Sequence, residues 1–298
     1  MRLARFTHEG STGLGVVLGE PEAGAAILDL RAAAPELGDD LREILATGGP
    51  DWPAIRAAVD RPATRVEIPL AEVRLEAPIP RPPSFFAIGL NYADHLAETG
   101  RERSDFPVFF TKAPTCVTGP VDPIHVPRAS PLVDYEGELG VLIGRLCRHV
   151  PAEEVHRVIA GYFVVDDVSV RDWQARSPTM ILGKGWDTHG PTGPWITTAD
   201  EVSDPQALAI RTTVAGELLQ DGSTADMLWS VAEQIAILST VSTLEPGTLL
   251  ATGTPAGVGI ARNPARLLKA GDEVRVEIGH LGALTNPVID EPDDTPRW

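Results

Sequence analysis

The stretch "DYEGELGV" covers residues 134–141. Read as a β-strand, its alternation puts Asp134, Glu136 and Glu138 on one face and Tyr135, Gly137, Leu139 and Val141 on the other. Carboxylates this close repel one another and resist burial unless a cation neutralises them. "VLIG" continues the stretch directly, so it runs into apolar surroundings, which weighs against the plainer reading of a solvated acidic face. Hard oxygen ligands without thiolates or paired imidazoles favour Mg²⁺, Mn²⁺ or Ca²⁺ over zinc. Glu136 and Glu138, two residues apart, can reach one ion, and Asp167 at the end of the apolar run "YFVVDD" is a natural third ligand.

At 298 residues, 43% of them hydrophobic, the chain is long enough for one large domain or for a small one beside a larger one. A formal charge of −17 argues against nucleic acid or an anionic membrane as partner, because most of the surface would be repelled. Cys116 and Cys147 form no CxxC pair and no disulfide framework, which suggests a reducing compartment. "MRLARFTHEG" lacks the apolar segment of a signal peptide, and no apolar run approaches the roughly 18 residues of a membrane span. A cytoplasmic protein is the expectation. Lysine occurs only at Lys112, Lys184 and Lys269, and this rarity makes each of the three positions noteworthy.

Four prolines in "EAPIPRPPS" (76–84) forbid a central strand or a helix interior, so a boundary is placed there. The expected organisation is a small mixed α/β unit over 1–75, a catalytic domain over 80–290 and a loose or surface-draped tail over 291–298. "FFAIGL" reads as a buried strand. "NYADHLAETG" reads as a helix with Asn91 as N-cap and Gly100 as its stop, placing His95 and Glu98 one turn apart. "PAEEVHRVIAG" reads as a helix opened by proline. Ser-x-x-Asp boxes at "SVRD" (169–172) and "STAD" (223–226) predict helix starts, the second opening a helix over 226–240 that carries Leu228, Val231, Ile235 and Leu238. "DEVRVEIG" alternates as a half-buried strand.

Four further constellations carry chemistry. In "VVDDVSVRDWQ", Asp167, Arg171 and Gln174 fall at helical-face spacing, against the alternative of a surface pair of little worth. In "GKGWDTHGPTGPW", Lys184 sits between glycines with Thr188 following, where backbone and ammonium can both approach a ligand. "ATGTPAGVG" (251–259) has neither phosphate-loop spacing, which leaves a tight loop able to offer Thr254 and backbone N–H groups to an anion. Glu98 can orient His95 and raise its basicity, although a lone histidine on a half-exposed helix is more often solvated.

Together "GLNYADHLAE", "VFFTKAPT", "DYEGELGVLIG", "GYFVVDDVSVRDWQ", "LGKGWDTHGPTGPW", "LQDGSTADM" and "ATGTPAGVG" resemble the fumarylacetoacetate hydrolase family over residues 80–290, in the family's order. The resemblance implies an α+β fold with a mixed β-roll or β-sandwich core, a small variable N-terminal domain and a homodimer. It implies Glu136, Glu138 and Asp167 as ligands of Mg²⁺ or Mn²⁺, with Asp134 as their neighbour and Thr188 beside the site. Lys184, Arg171, Gln174, Thr254 and Tyr92 match substrate-contacting positions, and His95 and Glu98 match the lid dyad of the acylpyruvate hydrolase branch. Asp166 stands where the motif usually has Asn.

The implied activity is hydrolysis of a carbon-carbon bond in a 2,4-diketo acid, with His95, Glu98 and Lys184 catalytic, giving pyruvate and a carboxylic acid. An oxaloacetate-type decarboxylase and a dienoate isomerase are the alternatives within the family. A non-catalytic protein binding a metal or a small acid is the alternative of another class.

Overall fold

The computed structural model describes residues 1–20, 24–60 and 65–295. Its central strand, Gly137–Ile143, is buried along its whole length. It pairs antiparallel with Ile159–Asp166 on one side and with Leu249–Ala251 on the other. Each face meets its own core: Leu139, Val141 and Ile143 join one apolar cluster, and Leu142 joins another with Phe163 and Val165. Gly140 is required by close packing, since a Cβ there would lie 2.5 Å from the Phe163 ring.

These strands belong to a 12-stranded sheet that continues through Gly190–Thr198 to the N-terminal strands, and through Phe85–Gly89 to Val108–Thr111 on the other side. Leu249–Ala251 runs parallel to Phe85–Gly89, so the sheet is mixed. Arg2–His8 pairs with Gly190–Thr198 through Arg2↔Thr197 and Leu3↔Ile196, which makes the N-terminal strands an extension of the same sheet. A five-stranded sheet that includes Ala209–Val214, Glu273–Ile278 and Gly282–Asp290 packs against it. Ile210, Val276 and Leu284 from this second sheet share a cluster with Leu139 and Val141, the interior of a sandwich. The chain thus forms the α+β architecture expected of it, and "DEVRVEIG" becomes Glu273–Ile278 with Val274, Val276 and Ile278 buried.

Several local expectations are corrected. "DYEGELGV" is two strands: Val133–Asp134 pairs with Ser169–Val170, and Gly137–Ile143 lies in the large sheet. The break comes at Glu136, whose N–H donates to the Asp166 carboxylate and whose carbonyl accepts from the Asp167 N–H. Helix Ala93–Thr99 begins after Tyr92 with no side-chain cap. Asn91 instead bonds the backbone of Trp229 and Thr252, and long-range pairing outcompetes the local cap. Ser169 is held in a strand and donates to the Asp167 carbonyl, so helix Arg171–Gln174 also starts uncapped. Ser223 caps only a 3₁₀ turn, Thr224–Asp226. The long helix starts later, as Val231–Val241, on a box formed by Ser230 and Glu233 that leaves Leu228 outside. "PAEEVHRVIAG" yields a 3₁₀ segment, Ala152–Arg157. Of the tail, Arg128 binds Glu291 and Asp293, while residues 296–298 lie outside the described residues.

His189 stands next to strand Gly190–Thr198 and is fully buried, its Nε2 donating to the His125 carbonyl at 2.8 Å and its Nδ1 without a partner. Burial, the largest influence, pushes its pKa down to about 3. The unfolded chain takes up this proton below about pH 6.5, whereas the folded chain refuses it until about pH 3. Stability therefore falls as pH drops through that window, by at most about 1.4 kcal/mol per pH unit from this group. Denaturant midpoints measured from pH 7 to pH 4 are expected to fall less steeply in His189→Gln than in the wild type, and equal slopes would contradict the assignment.

Candidate active site

The ends of the two central strands deliver the acids: Glu136 and Glu138 flank the start of Gly137–Ile143, and Asp167 follows the end of Ile159–Asp166. All three are buried, and one ligand atom of each lies within 4.8 Å of the others. Cations converge on the same spot. Lys184, at the end of helix Ile181–Lys184, places Nζ 2.6 Å from Glu136 Oε2 and 2.7 Å from Asp167 Oδ2. Lys112 donates to Asp167 Oδ1 at 2.5 Å and to the Lys184 carbonyl at 2.6 Å. Arg171 reaches Glu136 with Nη1 at 2.7 Å and Asp134 with Nη2 at 2.8 Å.

The compensation is uneven. Burial alone would raise the Glu136 carboxyl, but Lys184 and Arg171 override it and hold the group down to about 2. Glu138 has no ion-pair partner among the described residues, and its charge is met at hydrogen-bond distance by the Gly253 N–H at 2.7 Å. Burial, then repulsion from Asp167 and Glu136, drives its pKa well above the usual carboxylate range. The triad therefore lacks positive charge at Glu138, and a divalent ion bound by oxygen ligands alone would supply it. Donor chemistry, spacing and charge deficit all fit such an ion. Burial also lifts Asp166 to about 7. One of its oxygens accepts the Glu136 N–H and the other is buried without a partner.

The loop that follows Leu249–Ala251 does hold anions, and they are the protein's own. Gly257 N–H donates to Glu98 Oε2 at 2.8 Å and Ala256 N–H to Asp94 Oδ2 at 3.2 Å. Gly259 and Ile260 donate to the two oxygens of Asp134 at 2.8 and 2.9 Å. Glycine is needed at 257, where φ is +110° and a Cβ would lie 2.1 Å from the Leu219 carbonyl oxygen. Thr254 lines the cavity, yet its hydroxyl is already engaged, accepting from Gln220 at 2.7 Å and donating to the Gly137 carbonyl at 3.0 Å.

These groups face a cavity of about 910 Å³ lined by Glu136, Glu138, Arg171, Gln174, Lys184 and Thr254, together with His95 and Glu98. His95 Nδ1 lies 2.7 Å from Glu98 Oε1. Gln174 takes a hydrogen bond from Arg171 at 3.0 Å. Three expected residues do not line the cavity, and of these Asp167 is wholly buried against Lys112 and Lys184 beside the two glutamates. Tyr92 is wholly buried in the sandwich core, because the chain turns there into helix Ala93–Thr99, and it does not line the cavity. Thr188 accepts from the His125 N–H and is likewise absent from the lining. Lys112, noted in the sequence only for its rarity, and Gln220 carry structural contacts to which sequence reasoning gave no role. Their signals were a rare lysine right after an apolar strand and a glutamine inside the motif "LQDGSTADM".

A three-carboxylate centre at the floor of a cavity that also holds a His–Glu pair, on a β-sandwich, defines a carboxylate-centred enzyme fitted for a divalent metal. Residues 84–289 match the family model of the fumarylacetoacetate (FAA) hydrolase C-terminal domain, and the chain belongs to the fumarylacetoacetate hydrolase family, as an enzyme. An oxaloacetate tautomerase of Xenopus laevis, described as mitochondrial, is 39% identical over 97% of this chain and 90% of its own length. The structure of maleylpyruvate hydrolase from Sphingobium sp. SYK-6, in complex with manganese(II) and pyruvate, superposes with a TM-score of 0.79 at 34% identity, covering 98% of this chain and 100% of that one. A 2-hydroxyhepta-2,4-diene-1,7-dioate isomerase from Mycobacterium marinum gives a TM-score of 0.77 at 33% identity over 98% and 100%. No helix among the described residues is long and apolar enough to cross a membrane.

If the triad takes a divalent ion, Mn²⁺ at about a hundred times its dissociation constant adds roughly 2.7 kcal/mol to the wild type. Glu138→Gln keeps the shape and removes the charge. Thermal melts with and without Mn²⁺ are expected to show an upward shift in the wild type that is largely lost in the variant; the same shift in both would contradict the site.

Proposed function

We propose that the protein is a divalent-metal-dependent hydrolase that cleaves a carbon-carbon bond of a 2,4-diketo acid, giving pyruvate and a carboxylic acid. The observation that carries this reading is the His95–Glu98 pair set in the same cavity as Glu136 and Glu138 of the buried acid triad. Glu136, Glu138 and Asp167 are the residues that hold the ion. Mg²⁺ or Mn²⁺ is the proposed metal, and the manganese in the Sphingobium relative supports the second. When bound, the ion supplies Lewis-acid polarisation of the 2-oxo acid end of the substrate and charge stabilisation for the enolate that leaves.

The chain's own groups do the rest. Glu98, fixed by the Gly257 N–H, binds His95 Nδ1 and so fixes the imidazole's orientation, leaving Nε2 as the base. His95 takes a proton from water, the oxygen adds to the 4-carbonyl, and the bond between C3 and C4 then breaks. The C4 side leaves as the carboxylic acid. The electron pair stays on C3 of the pyruvate enolate, which is protonated to pyruvate. Arg171, anchored by Asp134, and Lys184, anchored by Glu136 and Asp167, keep fixed positive charge on the side where the enolate develops.

A second reading is favoured by the Xenopus tautomerase, with which this chain is aligned over nearly its whole length. In that reading the same dyad moves a proton on an oxo acid without cleaving it. Incubation with Mn²⁺ and acetylpyruvate separates the two: hydrolysis gives loss of enol absorbance with stoichiometric pyruvate and acetate. Enol loss without pyruvate, or turnover confined to oxaloacetate, would contradict the hydrolase reading. His95→Ala is expected to lower kcat for hydrolysis by about 10²–10⁴-fold, the usual worth of a positioned base, with the Mn²⁺ melting shift retained. A kcat within twofold of the wild type would remove His95 from the mechanism.

A further inference from the structure

The charged side chains that line the cavity differ in how they are matched. Glu98 is paired with His95, Arg171 with Asp134 and Glu136, and Lys184 with Glu136 and Asp167. Glu138 belongs to the proposed ion. Arg101 also lines the cavity, and its guanidinium has no hydrogen-bond, ion-pair or ring partner among the described residues. It is exposed where the triad is buried, so it marks the mouth as the acids mark the floor. The wall includes apolar Ile88, Val108, Phe110, Met180 and Val258.

Its backbone is fixed. Gly100, at φ +65°, ends helix Ala93–Thr99 in the left-handed conformation, and the Arg101 N–H returns to the Leu96 carbonyl at 3.1 Å. The same helix carries His95 and Glu98, so Arg101 is tied by one short turn to the dyad. In a chain of net charge −17, a small anion is repelled by most of the surface, and an unmatched arginine at the opening reverses that locally. A planar guanidinium is also the group best shaped for a carboxylate. The volume, about 910 Å³, falls within the roughly 300–1,000 Å³ typical of small-molecule sites, so it has room for an extended acid reaching from floor to mouth.

We propose that Arg101 is the specificity-determining residue of this cavity: it receives a second carboxylate at the far end of the substrate, which makes 2-oxo dicarboxylic acids the preferred class over monoacids of equal length. The inference rests on the proposed function in one respect, that the 2-oxo acid end lies at the triad.

The test separates binding from reaction. In Mn²⁺, calorimetry compares 2-oxohexanedioate with 2-oxohexanoate, which lack the 4-oxo group and cannot be cleaved by the proposed route. The wild type is expected to bind the diacid at least about tenfold more tightly, as one charge-assisted contact provides. In Arg101→Gln that preference falls toward one, and Arg101→Lys restores part of it. A wild-type preference near one, equal weakening of both ligands in Arg101→Gln, or binding of neither would overturn the inference. Turnover of 2,4-dioxoheptanedioate and 2,4-dioxoheptanoate is then compared as kcat/KM. If neither is cleaved while the binding preference and its loss hold, the hydrolase reading falls and the role of Arg101 stands. Cleavage of both at equal kcat/KM by wild type and variant alike sinks Arg101 and leaves the hydrolase reading in place.

Discussion

Five buried carboxylates, Asp134, Glu136, Glu138, Asp166 and Asp167, sit at one place in the molecule, and their mutual repulsion is the constraint around which the site is built. An unpaired carboxylate in a protein interior costs several kcal/mol even after relaxation, so each needs an answer. Three cations, Lys112, Lys184 and Arg171, answer for Asp134, Glu136 and Asp167. Asp166, which burial lifts to about 7, accepts only a backbone N–H, and Glu138 is left with a backbone N–H and two like charges beside it. That residual imbalance makes the centre receptive to a divalent ion and gives a reason to keep so many charges inside. Buried ion pairs add little net stability compared with apolar packing; they fix geometry.

The fold meets this constraint by breaking regularity where the acids stand. The chain leaves one small sheet at Asp134 and joins the large one at Gly137, and Asp166 holds the intervening residue in place. The loop from Gly253 to Ile260 presents backbone N–H groups to Glu138, Asp94, Glu98 and Asp134. One segment thereby fixes the floor of the cavity, the helix of the His95–Glu98 pair and the anchor of Arg171 together. Movement of any of them strains a hydrogen bond to the same loop. Fixed dipoles and charges of this kind are what stabilise developing negative charge without reorganisation.

Much of this was legible in the sequence. Glu136, Glu138 and Asp167 stand out as acids embedded in apolar runs, and His95 and Glu98 as a pair one helical turn apart; the structure groups the three acids together and brings Glu136, Glu138, His95 and Glu98 to one cavity, with Asp167 buried beneath it. The ordered motifs also carried the fold. Local capping signals failed where distant partners competed: Asn91 is claimed by Trp229 and Thr252, and Ser169 by a strand. Tyr92 lies in a motif next to site residues, but neighbours in sequence point in different directions once the chain turns into a helix, and it fills the core instead. Lys112, 55 residues before its partner Asp167, is joined to it by sheet topology that no spacing rule reveals.

The central claim is that Glu136, Glu138 and Asp167 hold a divalent ion at the cavity floor. Crystals of the protein grown in Mn²⁺, with diffraction collected at the manganese absorption edge, test it most directly. The account predicts one anomalous peak per chain within coordination distance of all three carboxylates. A peak elsewhere, or none at saturating Mn²⁺ with the three acids still held by Lys184, Lys112 and Arg171 alone, would contradict it.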